Sequence, residues 1–105
     1  MSAIRRLNDA FRQSLVGGRF VMTASVAALP PHLQARAIDA MRTFSNFNED
    51  NDPYGEHDCA TFEVDGQRFM FKIDYYDENM EYGSEDPADP HKTTRVLTLL
   101  LPSDY

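Results

Sequence analysis

Two stretches of the chain concentrate the side chains that can hold a cation, move a proton or grip a charged surface. The first is Glu49 to Asp58, EDNDPYGEHD; the second, twenty-eight residues further on, is Asp77 to Asp86, DENMEYGSED. Aligned, they share two acids, an asparagine, a Tyr-Gly pair and a closing aspartate. Hard divalent cations take several oxygen ligands from carboxylates and loop carbonyls. Asp50, Asp52, Glu56 and Asp86, joined by the His57 imidazole, are the candidate set for such an ion or for a metal-dependent hydrolase. An EF-hand is rejected. Asp50, Asp52 and Gly55 hold its loop positions 1, 3 and 6, but position 12 is Thr61 where a bidentate Glu belongs. His57 and Cys59 alone do not make a zinc spacing.

Nucleophilic chemistry is the second possibility. His57, Cys59, Thr61 and Glu63 alternate onto one side of an expected strand, and a thiol beside an imidazole can be activated. The surrounding acids act against this, because negative charge raises a thiol's pKa. The chain has no Gly-x-Ser-x-Gly, no phosphate-cradling glycine loop and no His-Glu-x-x-His. The third reading needs no reaction. Asp50, Asp52, Glu56, His57, Asp77, Glu85 and Asp86 form an acidic rim, with Tyr54, Tyr76 and Tyr82 as aromatic anchors, that binds a basic protein surface. A plainer account of the same residues is that Asp and Asn close turns, acids solvate loops, and each Tyr-Gly packs its ring on the sheet.

Charge is distributed unevenly. Residues 1–47 hold six arginines against Asp9 and Asp39, a net of +4; residues 48–105 hold four bases against fifteen acids, a net of −11; the total is −7. Such a surface repels nucleic acid over most of its area and favours cations or basic protein patches. The basic first half is free to meet a phosphate, the acidic half of its own molecule, or that of a second copy in a homodimer. Three arginines on the first helix are too few to claim nucleic-acid binding. One cysteine and no apolar run of membrane-spanning length point to a soluble protein of the cytoplasm, with no secretory signal at MSAIRRLNDAF.

The elements that must position these loops follow from periodicity. Ile4, Leu7, Phe11 and Leu15 make one helix face, with Ser2 as cap, Gly17-Gly18 as stop, and Arg5, Arg6 and Arg12 as solvent charges. Arg19–Val26 reads as a strand. Pro30-Pro31 opens a second helix, whose stripe is Leu33, Ala37, Met41 and Phe44. Ala60–Val64 and Arg68–Tyr75, joined by Asp65-Gly66, are a hairpin. Phe69, Phe71, Ile73 and Tyr75 share one face with Phe62 and Val64. Thr93–Leu101 is a strand apolar on both faces. One domain over residues 1–105 results. Its class is α+β: a mostly antiparallel sheet of about four strands with two helices on one face, in the order α-β-α-β-β-β. The two acidic phrases, one before the hairpin and one after it, should meet at its open end.

The phrases LNDAFRQSLVGGRFVMTASVAALP, EDNDPYGEHD, KIDYYDENMEYGSEDPADP and TTRVLTLLLPSDY resemble a bacterial family catalogued as a domain of unknown function, number three-seven-six-eight. The resemblance runs from about Leu7 to Tyr105 and implies a small bacterial protein. It carries no activity, cofactor or catalytic residue to transfer. The expectation is a non-enzymatic protein whose acidic loops bind a basic protein partner, as an inhibitor or counter-defence factor in its most concrete form. Neither a membrane nor direct nucleic-acid binding is expected. Cofactor is none, or, in the alternative, a divalent cation in the same loops.

Overall fold

The structure, a computed structural model, describes residues 2–105. Helix α1 spans Ala3–Ser14, and the Ser2 hydroxyl accepts from the Arg5 N–H to satisfy its first turn. It ends earlier than the glycines predict, with Leu15 in the left-handed region at φ 60°. Gly18 has a different job: a Cβ there would sit 2.5 Å from the Arg95 carbonyl oxygen and 2.7 Å from the Phe11 ring. Only a residue without a side chain lets the backbone cross at that point.

Strand β1 is short, Arg19–Met22. The expected strand to Val26 stops because Thr23 caps a one-turn helix, α2 (Ala24–Ala27), whose Val26 is fully buried. Helix α3 (Pro31–Thr43) starts at the diproline as expected and buries Ala37 and Met41. Strands β2 (Cys59–Val64) and β3 (Gln67–Tyr76) form the hairpin. Asp65 and Gly66 lie at φ 52° and 81°, the signature of a type I′ turn. Strand β4 (Thr94–Leu100) is followed by a 3₁₀ turn at Pro102–Asp104.

Among the described residues the architecture is α+β with three α-helices and a four-stranded mixed sheet, in the order β1-β4-β3-β2. Two strand pairs are antiparallel, and β1 runs parallel to β4 with Arg19 opposite Val96. The sequence order thus gains a helix over the expected α-β-α-β-β-β. The core gathers Phe11 from α1 and Ala37 and Met41 from α3 with Phe69, Phe71, Ile73, Leu97 and Leu99 of the central strands. The strand residues alternate, so they project from one side of the sheet. The 3₁₀ turn is tied back: the Asp104 carboxylate accepts from the Thr23 and Ser25 hydroxyls and the Leu101 N–H. The Ser25 bond is the largest cause of its lowered pKa.

Arg12 is not a solvent charge. It is 1% exposed, and Nη1 donates to the carbonyls of Met41, Arg42 and Phe44. Those oxygens belong to the open C-terminal end of α3, where a cation is favoured by unpaired carbonyls and by the helix dipole. Nη2 binds Asp9 at 3.0 Å, and the guanidinium lies over the Phe47 and Phe71 rings. Replacing a buried ion that holds this many partners strands all of them. Arg12→Ala should cost about 3–5 kcal/mol of unfolding free energy by urea denaturation, whereas exposed Arg6→Ala should stay within about 0.5 kcal/mol.

Candidate functional site

Helix α1 sends three polar side chains into the protein, and they decide where both acidic loops sit. Asn8 is fully buried. Its Nδ2 donates to the Glu56 carbonyl (3.0 Å) and the Tyr75 hydroxyl (2.8 Å), and its Oδ1 accepts from Arg95 Nε (2.8 Å). Arg95, 2% exposed, also donates to the Pro87 carbonyl and lies 5.2 Å from the Tyr75 ring centroid. One amide therefore joins the first acidic loop, strand β3 and, through Arg95, the segment following the second loop. Burial pushes the Tyr75 phenol up to about 12 and lowers Arg95. Tyr75 therefore stays protonated at neutral pH.

Asp9 makes a second junction. One of its oxygens takes both Arg12 Nη2 and His57 Nδ1, the latter at 2.8 Å. A carboxylate acceptor places the proton on Nδ1. The His57 ring stacks on Phe47 at 3.8 Å and 6°, and its Nε2 stands 3.6 Å from Asp52 Oδ2. Asp52 is 8% exposed and turned inward, where its carboxylate accepts the Glu56 and His57 N–H groups. His57 sits in the left-handed region, φ 55°. That twist breaks the strand alternation, so His57 does not share a side with Cys59, Thr61 and Glu63. The expected imidazole–thiol pair is absent, and no bond joins the two residues. Cys59 is pushed up by burial first and then by Asp58 and Asp52, which leaves a poor nucleophile at neutral pH.

The two acidic phrases do not fold alike and do not merge. Pairing of β2 with β3 ends at Cys59–Lys72, whereas β3 continues to Tyr76 against Thr94 of β4. This overhang carries the second loop past the first. In the first loop Gly55 and His57 take positive φ; in the second Met80 does, while Gly83 bridges to Tyr76. Asp77 caps its own turn, accepting from the Asn79 and Glu81 N–H groups. Asp86 does the same for Ala88. Among the described residues, no three His, Cys, Asp or Glu side chains come together as metal ligands. Asp50 is exposed, Asp52 is committed to backbone amides, and Asp86 lies in the other loop.

Each loop instead borders its own open cleft. One, of about 450 Å³, is lined by Asp77, Glu78, Tyr82 and Glu85 with Lys92 on a wall. The other, about 410 Å³, is lined by Glu49, Asp52, Tyr54 and His57 with Arg5 on a wall. Tyr54 is 86% exposed and Tyr82 73%, so neither ring closes its loop by packing on the sheet. Tyr76 is half-buried beside its partner strand. Of the routes open to the basic half, contact with the acidic half of the same molecule is realised at Arg36–Asp65, 2.8 Å. The polar α1 residues were not singled out from the sequence. Their signal was position: Asn8 and Arg12 fall four and eight residues after Ile4, on the stripe that faces the core.

The sequence profile of a family described as "Protein of unknown function (DUF3768)" matches residues 22–104. The chain belongs to this family. The match covers the hairpin and both acidic loops, but it begins at Met22 rather than near Leu7, so Asn8, Asp9 and Arg12 precede the part matched to DUF3768. No curated protein and no solved structure matches the chain.

Burial, followed by Asp58 and Asp52, raises the pKa of Glu56; burial likewise leads for Asp58. A carboxyl raised in the fold binds its proton more tightly there than in the unfolded chain, so its ionised form opposes folding. That opposition is full at neutral pH and fades as pH falls through the raised value towards the ordinary one. Glu56→Gln and Asp58→Asn should each raise the melting temperature by about 1–3 °C at neutral pH. The gain should vanish near pH ~3, below the ordinary carboxyl values, where both carboxyls are protonated in folded and unfolded chain alike.

Proposed function

We propose that this DUF3768 protein is non-enzymatic and binds a partner protein of basic surface through the two tyrosine-bearing acidic loops. The observation that carries this reading is the exposure of Tyr54 and Tyr82, 86% and 73%, among carboxylates of the same loops. Large amphipathic rings held clear of the core are costly to leave in water and effective as interface anchors. Around them stand Glu49, Asp50, Glu78, Glu81 and Glu85, which steer a basic partner and make its capture sensitive to salt. The net charge of −7 favours the same class of partner and opposes nucleic acid. In its most concrete form the protein occupies a basic groove that otherwise receives a phosphate backbone, and so inhibits a nucleic-acid-handling protein. The divalent-cation alternative gains no support from the dispersal of Asp50, Asp52, Glu56, His57 and Asp86.

Two measurements test the reading together. In affinity capture from a lysate of its own source, the protein should retain a basic partner at low salt and release it as salt rises. Tyr54→Ala/Tyr82→Ala should retain at least about tenfold less, since aromatic anchors of this kind contribute ~2 kcal/mol or more when buried. Undiminished capture by the double variant, or an acidic captured protein, would refute the proposal. In thermal melts, Ca²⁺, Mg²⁺, Mn²⁺ and Zn²⁺ should raise stability no more than monovalent salt of equal ionic strength does. A rise specific to one ion, lost in Asp52→Asn, would revive the cation reading.

A further inference from the structure

Strand β2 lies at the end of the sheet with β3 on one side only. Its hairpin fixes which of its backbone groups are free. The Asp65-Gly66 turn closes on the pair Val64–Gln67. In a two-residue hairpin that pair exchanges hydrogen bonds, and bonded and non-bonded pairs then alternate along the ladder. Phe62–Phe69 and Ala60–Phe71 are therefore bonded pairs, and the Ile73 N–H to Asp58 carbonyl bond of 2.7 Å continues the series. The N–H and C=O groups of Cys59, Thr61 and Glu63 consequently point away from β3. Among the described residues nothing else bonds to them.

The sides of this edge differ. Thr61 and Glu63 are exposed on the side of the sheet away from the core. On the core side, Phe62 remains half-buried, 5.7 Å from the Phe69 ring centroid and 6.3 Å from Phe44 at the end of α3. An added strand would thus place alternate residues against an apolar rim and against Thr61 and Glu63. The edge strand and its flanks carry Asp58, Glu63 and Asp65, against which stand Arg36, paired with Asp65, and Arg68, across from Glu63 on β3, so the local balance stays acidic by one charge. A second copy would approach this edge carrying the same net charge of −7, which opposes pairing. A basic strand is attracted by that net charge and by the local acidic excess.

We propose that β2 receives an extended segment of the partner as a fifth strand, with basic and apolar residues in alternation, the basic ones on the Glu63 side and the apolar ones over Phe62. The inference rests on the partner being basic and adds how it docks: main-chain bonds supply the ladder, and alternate side chains supply the selection. The first acidic loop leads directly into β2, so a segment on the edge extends towards Glu56 and the cleft of Tyr54.

The probe is a capped peptide of about seven residues alternating Lys and Val, long enough to span the edge. Its isomer is N-methylated on alternate amides, which keeps the charge and removes ladder donors. With the parent peptide bound at low salt, amide hydrogen exchange at Thr61 and Glu63 should slow by about tenfold or more. The N-methylated isomer should bind about tenfold more weakly or worse, and Glu63→Lys should weaken the parent. Unchanged exchange at both amides, with binding abolished in Tyr54→Ala/Tyr82→Ala, would sink the edge inference and leave the acidic-loop reading standing. Equal binding by a Thr-Val peptide would remove the basic partner from both. No binding at low salt would overturn both. Slowed exchange that grows with protein concentration in the absence of peptide would assign the edge to a second copy instead.

Discussion

A single buried guanidinium organises this protein. Arg12 closes the carbonyl end of α3, and the Asp9 oxygen it holds is the same one that holds His57. Charge taken out of water needs partners, and those that Nη1 and Nη2 find here set three elements at once, while Nε is buried without one. Helix α1 is fixed against α3, α3 is fixed in length, and the loop before β2 is fixed through the imidazole. Phe47, stacked on His57 and facing the guanidinium, closes the remaining side with an aromatic wall. The loop that carries Tyr54 is therefore anchored at its base while its outer residues stay in solvent. For the partner binding proposed above, support beneath the exposed Tyr54 ring would leave little freedom to lose on association.

A second polar junction complements the first. Asn8 has its amide nitrogen and oxygen both engaged, on Glu56, Tyr75 and Arg95. Where Arg12 holds helix ends, Asn8 holds strands and loop backbones. The second acidic loop meets the Asn8 junction through Arg95 on the Pro87 carbonyl just past its end, and is otherwise shaped by Asp77 on its own amides and by the Tyr76–Gly83 bridge. The two loops share a phrase of sequence and are supported by different physics. Their likeness lies in what they present, acids around an exposed tyrosine.

Features encoded in short windows were legible in the sequence. The hairpin was, because Asp-Gly at positive φ and the 2-residue alternation of Phe69, Phe71 and Ile73 are local signals. So was α3, whose diproline start is also local. The parallel pairing of β1 with β4 was not, since parallel register leaves no turn to read. Helix α2 was hidden by the β-branched residues Thr23 and Val26, which suit a strand until Thr23 is recognised as a cap. Arg12 was misplaced for the opposite reason: its position on the apolar stripe was visible, but its charge was given more weight. The acidic loops were found, but their separation was not, because it depends on how far β3 outruns β2.

The strand order also constrains how the chain can be assembled as it is made. β4 lies between β1 and β3, yet it is the last of the four to appear in the sequence. The hairpin from Cys59 to Tyr76 needs only neighbouring residues and can form in microseconds. β1, by contrast, has no strand to lie against until Val96 and its neighbours have been made, some seventy-seven residues after Arg19. β1 therefore has no place in the sheet until the last strand is made, and the hairpin alone is at best marginally stable. Topology of this kind slows folding through the cost of closing a long loop.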